Sequence, residues 1–258
     1  MKLRIKDVWY IRGGKELLKN INIELEDGFY ALIGPNGSGK TTFLSILSGL
    51  EWPTLGKIFL EENGEQVPIV YKKNYFGFFS PKLSTWLDAF HPQIAAWEVL
   101  CTGFYDQLGY YTEATEQEKT KAKQILYKYV PSLDIDFNRN FMHLSTGEKQ
   151  RVLLLRSIVK EPKILILDEP FEVLDIRGRI KFEKLLEEIS KTISLILIVL
   201  HRIEEIPPFV KKAILLKEGK ILRWGDLDSV ITSQSISELY DTQLNIEKKD
   251  SRFYCYVI

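Results

Sequence analysis

The sequence predicts an α/β chain: a parallel sheet core, antiparallel strands beside it and an inserted helical segment. A continuous apolar strand, Phe29 to Ile33, runs straight into a glycine-rich loop and then into a stretch of helical periodicity. From Ile164 to Leu200 strand and helix patterns alternate, which implies parallel pairing. Between about 81 and 159 the pattern is helical almost throughout. The expected organisation is therefore one domain over 1–258, with a core of 1–80 and 160–258 and a helical subdomain at about 81–159.

Each element has a local reason. Residues 3–33 read as strands, and Ile21, Ile23 and Leu25 alternate with polar residues as a half-buried strand should. Glu26-Asp27-Gly28 is a turn. Thr41 to Leu50 reads as a helix with Leu44, Leu47 and Leu50 on one face, its end bracketed by Gly49 and Pro53. Residues 57–80, with Asn63-Gly64 and Pro68 as turn residues, return to short strands, the last being Tyr75–Phe79. Glu113 to Tyr129 is a charged amphipathic helix with Ala122, Ile125, Leu126 and Tyr129 inward. A second helix starts near Ser145 and carries Val152, Leu153, Leu155 and Ile158. Strand Ile164–Leu167, helix Arg179–Lys191 and strand Ile193–Leu200 follow. Ala213–Leu216 and Ile221–Arg223 form a hairpin around Gly219. Phe253 to Ile258 is expected as a late edge strand, and no internal repeat is present.

Composition bounds the function. A chain of 258 residues with 45% hydrophobic and 27% charged residues folds without staples. Basic and acidic residues number 35 each, so the whole chain carries no electrostatic signature of nucleic-acid binding, and no direct nucleic-acid partner is expected. Cys101 and Cys255 lack metal-like spacing; the sequence leaves a disulfide between them open, and the commoner reading is two small buried side chains of a reducing compartment. Met1 to Lys6 reads as a strand rather than a signal peptide. The apolar run Ile193 to Leu200 is far short of a bilayer span, so membrane association is expected only through a partner.

Three short motifs carry the chemistry: GPNGSGKTT at Gly34 to Thr42, LSTGE at Leu144 to Glu148, and ILILDEP at Ile164 to Pro170. Their joint order and spacing point to binding and hydrolysis of a nucleoside triphosphate. Gly34-x4-Gly39-Lys40-Thr41 fits the P-loop pattern between a strand and a helix. Glycines let successive N–H groups converge on an anion, and the helix adds its positive dipole end. The bland reading is a glycine turn with a solvated lysine. The candidate triphosphate residues are Gly34, Pro35, Asn36, Gly37, Ser38, Gly39, Lys40, Thr41 and Thr42. Lys40 is expected to reach the β- and γ-phosphates and Thr41 to ligate Mg²⁺. Asp168 and Glu169 end a buried strand where a parallel sheet meets its ligand, Asp168 to hold Mg²⁺ through water and Glu169 to orient or deprotonate the attacking water. Their bland reading is a carboxylate pair capping a turn before Pro170. His201 closes the next apolar strand, a position at which a lone histidine is usually structural or solvated; here that strand end is expected near the γ-phosphate. Lys40, Glu169 and His201 are thus the candidate catalytic residues.

With these residues the chain resembles the ATP-binding cassette (ABC) ATPases, from its first strand to the hairpin after Val210. LSTGE resembles the family signature LSGGQ and continues as Lys149-Gln150-Arg151. Val173-Leu174-Asp175 matches the D-loop, with Asp175 as its acid, and His201 the switch histidine. The resemblance implies a P-loop NTPase with a RecA-like core, an antiparallel β-subdomain and a helical subdomain carrying the signature. It implies ATP and Mg²⁺ as cofactors. It also implies head-to-tail pairing with a second copy or a homologous cassette, in which Ser145, Thr146, Gly147 and Glu148 face the partner's γ-phosphate. The departures are Thr146 in place of a glycine, Glu148 in place of the glutamine, and Ser80 where the Q-loop glutamine should end the strand Tyr75–Phe79. Glu148 is expected to be a helix-capping carboxylate, and Ser80 a ligand of Mg²⁺ or its water. Adenine is expected to stack on Tyr10, with Trp9 and Arg12 also available.

Two roles follow from the resemblance. One is the energy-coupling subunit of a membrane transporter, most similar to metal-chelate and molybdate importers, cytoplasmic and peripheral on the inner membrane face, with a transmembrane permease as partner. The aromatic segment Phe76 to Phe90 lies where such subunits receive that partner, although core packing explains aromatics there equally. The segment after the hairpin is short, so no regulatory domain of the kind some sugar importers carry is expected. The other role is a soluble ABC ATPase of repair, translation or regulation, which Ser80 favours slightly.

Overall fold

The protein is described from a computed structural model covering residues 1–105, 114–129 and 134–257, with the backbone alone for 70, 72 and 73. In chain order the elements are β1 (Lys2–Arg12), β2 (Lys15–Glu26), β3 (Gly28–Ile33), α1 (Lys40–Leu47), β4 (Leu55–Glu62), β5 (Glu65–Pro68) and β6 (Phe76–Phe79). Then come α2 (Lys82–Phe90), α3 (Ala96–Cys101), α4 (Glu116–Tyr129), α5 (Thr146–Ile158), β7 (Ile164–Asp168), α6 (Ile176–Ser190) and β8 (Leu195–Leu200). The chain closes with β9 (Lys212–Lys217), β10 (Lys220–Asp226), α7 (Leu227–Val230), α8 (Ser233–Tyr240), β11 (Leu244–Lys249) and β12 (Arg252–Val257). It divides into two units, Met1–Phe76 with Ser194–Ile258, and Gly77–Ile193.

The first unit holds two larger sheets besides the two-stranded β11–β12 pair. One is antiparallel, in the order β2-β1-β4-β5. Its register sets Leu3 opposite Leu25 and Leu60, and Ile5 opposite Ile23 and Ile58, so the apolar residues share one buried face. In the other, β3 lies between β8 and β9, parallel to both, and β10 turns back on β9. Every residue of β8, LILIVL, is buried, as a parallel strand covered on both faces requires.

Helix α1 buries Phe43, Leu44, Ile46 and Leu47 but stops short of the expected Leu50. Gly49 takes the left-handed conformation at φ 71°, its N–H reaching Ile46 O while the Leu50 N–H reaches Ser45 O. This is a Schellman closure. It turns Leu50 outward, 68% exposed, rather than onto the apolar face.

The tail also departs from expectation. The segment after the β9–β10 hairpin folds into α7, α8 and a separate two-stranded β11–β12 hairpin. β12 is therefore not an edge strand of a larger sheet; it pairs with β11 around a turn in which Asp250 and Ser251 have φ 49° and 64°. Ile258, the end of the expected strand, lies outside the described residues.

In the second unit β6 and β7 are neighbours, and helices α2 to α6 complete the layer. α4 buries the four residues that periodicity selects, Ala122, Ile125, Leu126 and Tyr129; Glu113 lies outside the described residues. α5 buries Val152, Leu153, Leu154, Leu155 and Ile158. Phe182 of α6 packs edge-on against Phe79 at 5.4 Å and Phe171 at 5.8 Å between ring centroids.

Candidate functional site

The glycine loop leaves β3 after Ile33 and enters α1 at Lys40. Its sequence is dictated by close backbone approaches. A Cβ on Gly34 would overlap the Leu216 carbonyl of β9, and one on Gly39 would sit 2.9 Å from the Leu17 carbonyl of β2. Gly39 also has φ 102°, a conformation open to glycine. The loop is braced from behind. Gly219, in the β9–β10 turn, donates its N–H to Ser38 O at 2.9 Å, and its own carbonyl accepts the Lys19 N–H at 2.8 Å. Lys40, 6% exposed, folds back so that Nζ donates to Gly34 O at 2.7 Å and Pro35 O at 3.1 Å. Ser38 Oγ is buried without a hydrogen-bond partner among the described residues. A narrow glycine cradle at a helix N-terminus with a buried, unsatisfied hydroxyl fits an anionic group. Thr41 and Thr42 follow in the first turn of α1, with Thr41 exposed.

The same unit sets His201 beside this loop. β3 and β8 pair in parallel with Ile33 opposite Leu200, so Gly34 and His201 leave adjacent strands at one level. Glu205 accepts the His201 N–H at 3.2 Å, and Tyr240 Oη donates to the His201 carbonyl at 3.1 Å. On β1, the Tyr10 phenol is hydrogen-bonded to Glu51, which with burial raises its pKa; Arg12 Nη1 meets the same carboxylate at 3.2 Å.

The second unit holds the remaining candidates. Asp168, 8% exposed, ends β7, and Glu169 follows at φ 52° in a tight turn. Ser80 follows β6. Ser145 caps α5 in a capping box: Glu148 Oε2 accepts the Ser145 N–H at 2.8 Å and its hydroxyl at 2.7 Å. Burial works to raise the Glu148 carboxyl, but the two Ser145 bonds and the charges of Arg151 and Arg139 hold it below the usual range. The capping role expected for Glu148 is what the structure has. Thr146 is exposed in the first turn of α5, beside Gly147. Gly147 faces α6, where a Cβ on it would meet Gly178 Cα in ordinary contact at 3.4 Å. Asp175 caps α6, accepting the Gly178 N–H at 2.6 Å, which is why that helix starts at Ile176 rather than near Arg179.

Among the described residues, no cluster of three or more His, Cys, Asp or Glu could hold a metal alone. Mg²⁺ takes one or two protein ligands, its shell completed by waters and substrate phosphates. Gly219, Glu205 and Tyr240 were not predicted as site residues. The glycine of a hairpin turn was visible in the sequence, but its contact with Ser38, 181 positions away, was not.

Residues 18–172 match the ABC transporter family. An ABC transporter ATP-binding protein, YlmA of Bacillus subtilis (strain 168), is 33% identical over 95% of this chain and 93% of its own. A metal-chelate-type ABC transporter in an inward-facing conformation shares the fold, with TM-score 0.76 and 20% identity over 99% of this chain and 96% of that one. A dimeric ATP-binding cassette in a post-hydrolysis state, bound to ADP and phosphate, is 25% identical with TM-score 0.66 over 87% of this chain and 98% of that one.

Proposed function

We propose roles for the residues of this chain, which belongs to the ABC transporter family as an ATP-hydrolysing, Mg²⁺-using subunit of a membrane transporter. Lys40 carries the reading, because an ammonium folded onto the Gly34 and Pro35 carbonyls needs only to swing to a triphosphate to exchange partners. Amides of Asn36 to Thr41, Gly37 and Gly39 among them, hold the β- and γ-phosphates, while Gly34 and Pro35 shape the turn and Thr42 closes it. Thr41, with Asp168 through water and Ser80 directly or through water, would hold Mg²⁺, whose charge would offset that of the phosphates. Glu169 accepts the proton of the attacking water, and His201 donates to the γ-phosphate. Tyr10 stacks on adenine.

Ser145, Thr146, Gly147 and Glu148 serve the γ-phosphate of a second cassette, and Asp175 sits at that junction. What supports pairing is the dimeric, ADP-bound cassette to which this chain is similar. The structure puts Glu148 on Ser145, so the hydroxyl must turn from carboxylate to phosphate on pairing. We further propose a peripheral position under a permease, and import of a metal chelate or oxyanion, which the LSTGE segment supports. No helix among the described residues is long and apolar enough to cross a membrane. Purification of the native complex tests this reading. A polytopic membrane subunit should co-purify, and a chelate or oxyanion presented by its binding protein should raise ATP turnover. Recovery of the cassette without any membrane subunit would overturn it.

A further inference from the structure

We propose that Tyr240 is a positioning residue for His201, acting from the C-terminal segment that follows the β9–β10 hairpin; the inference rests on the role given to His201 above. Tyr240 Oη donates to the His201 carbonyl at 3.1 Å across 39 residues of chain. Glu205 Oε2 accepts the N–H groups of His201 at 3.2 Å and Arg202 at 3.3 Å. Both backbone polar groups of His201 are thereby tied to side chains. A strand-end loop without such ties samples many positions, whereas a group that must meet a phosphate has to be held within about 0.5 Å.

The support behind Tyr240 is itself held by hydrogen bonds and buried packing. α8 is capped by Thr232, which accepts the Ser235 N–H at 3.2 Å. The Ser235 hydroxyl, 1% exposed, donates to the Val230 carbonyl. Ile236 and Leu239 are fully buried. Lys217, the last residue of β9, reaches Glu238 O at 2.5 Å and Asp241 Oδ1 at 2.6 Å, tying the end of α8 to the sheet. The β11–β12 hairpin adds a further hold on the same loop, with the Cys255 N–H donating to Glu204 Oε1 at 3.0 Å. Burial, with Cys255, Glu204 and Glu205 adding to it, pushes the Tyr240 phenol up to about 12. It therefore remains a donor throughout the neutral range.

Tyr240→Phe deletes one oxygen and keeps the ring, so it separates the bond from the packing. The test compares wild type, Tyr240→Phe, His201→Ala and the double variant of the full chain by steady-state ATPase, nucleotide titration and thermal melting. Tyr240→Phe should lower kcat about 3- to 10-fold with KM within about 2-fold. In the His201→Ala background it should lower kcat no further, because two residues acting through one contact are not additive. An unchanged kcat in Tyr240→Phe, or the same fold loss in both backgrounds, overturns the proposal. If His201→Ala alone leaves kcat intact, the role of His201 fails instead. Should Tyr240→Phe melt early, amide exchange at His201 and Arg202 decides: faster exchange supports the tie, and unchanged protection refutes it.

Discussion

Ile33 and Leu200 stand opposite each other in the parallel register of β3 and β8, and so Gly34 and His201 emerge side by side at the carboxyl edge of the sheet. Ligands of α/β sheets bind at that edge. The phosphate cradle and the histidine share a level because two apolar strands are in register, not because their sequences are close. His201→Ala should lower kcat by about 10²-fold, the usual cost of one lost donor to developing charge, with nucleotide affinity within about threefold. Phosphate release and titration with a fluorescent ATP analogue measure the two separately. A parallel loss of both would place His201 in ground-state binding instead.

Gly219→Ala should weaken nucleotide binding although residue 219 lies in the β9–β10 turn, outside the glycine loop itself. Its φ of 77° disfavours a side chain, and a Cβ there would press on the Leu17 backbone, with Leu17 C at 3.1 Å. The turn must back away, and the bond from Gly219 N–H to Ser38 O goes with it. We expect Kd for MgATP to rise about 10-fold with the melting temperature lower by several degrees. An unchanged Kd would mean that the loop holds its shape without this brace.

Glu169→Gln should keep ATP binding, slow hydrolysis by about 10²–10⁴-fold and accumulate a dimer when MgATP is present. Size-exclusion chromatography with and without nucleotide reads the second effect. Unchanged hydrolysis would remove Glu169 from proton transfer.

Ser145→Arg should abolish that ATP-dependent dimer while leaving nucleotide binding to the monomer intact. The substitution also deletes the α5 cap, worth about 1 kcal/mol, so melting temperature should fall by a few degrees. Dimer formation at wild-type nucleotide concentrations would exclude Ser145 from the junction.

Glu148→Gln tests the capping carboxylate through pH. The folded-state pKa of Glu148 is lowered from 4.5, so its charge stabilises the fold above the unfolded value and ceases to as pH falls through the folded one. Wild type should melt a few degrees above Glu148→Gln near pH 7, and the gap should close below about pH 4.5. A gap that is constant down to pH 3 would mean that charge plays no part in the cap.

Local pattern carried much of the fold. The periodicity of α4 selected the residues that are buried, and the continuous apolar runs gave β3, β7 and β8. Where local pattern misled, a backbone closure or a pairing decided otherwise. Leu50 continues the leucine stripe of α1, but the left-handed Gly49 ends the helix before it. β12 reads as an edge strand, yet its hydrogen bonds are taken by β11, whose polar composition gave little strand signal.

The sequence alone determined the α/β class, the phosphate loop, the signature segment and the family they belong to. Those features depend on residues within a turn or two of one another, where spacing and chemistry act directly. Only the tertiary structure decided what stands behind each of them: Gly219 under Ser38, Tyr240 on His201, and the level at which Gly34 and His201 meet. Such contacts join segments far apart in the chain, and they are set by burial of whole strand and helix faces, which no short window of residues specifies.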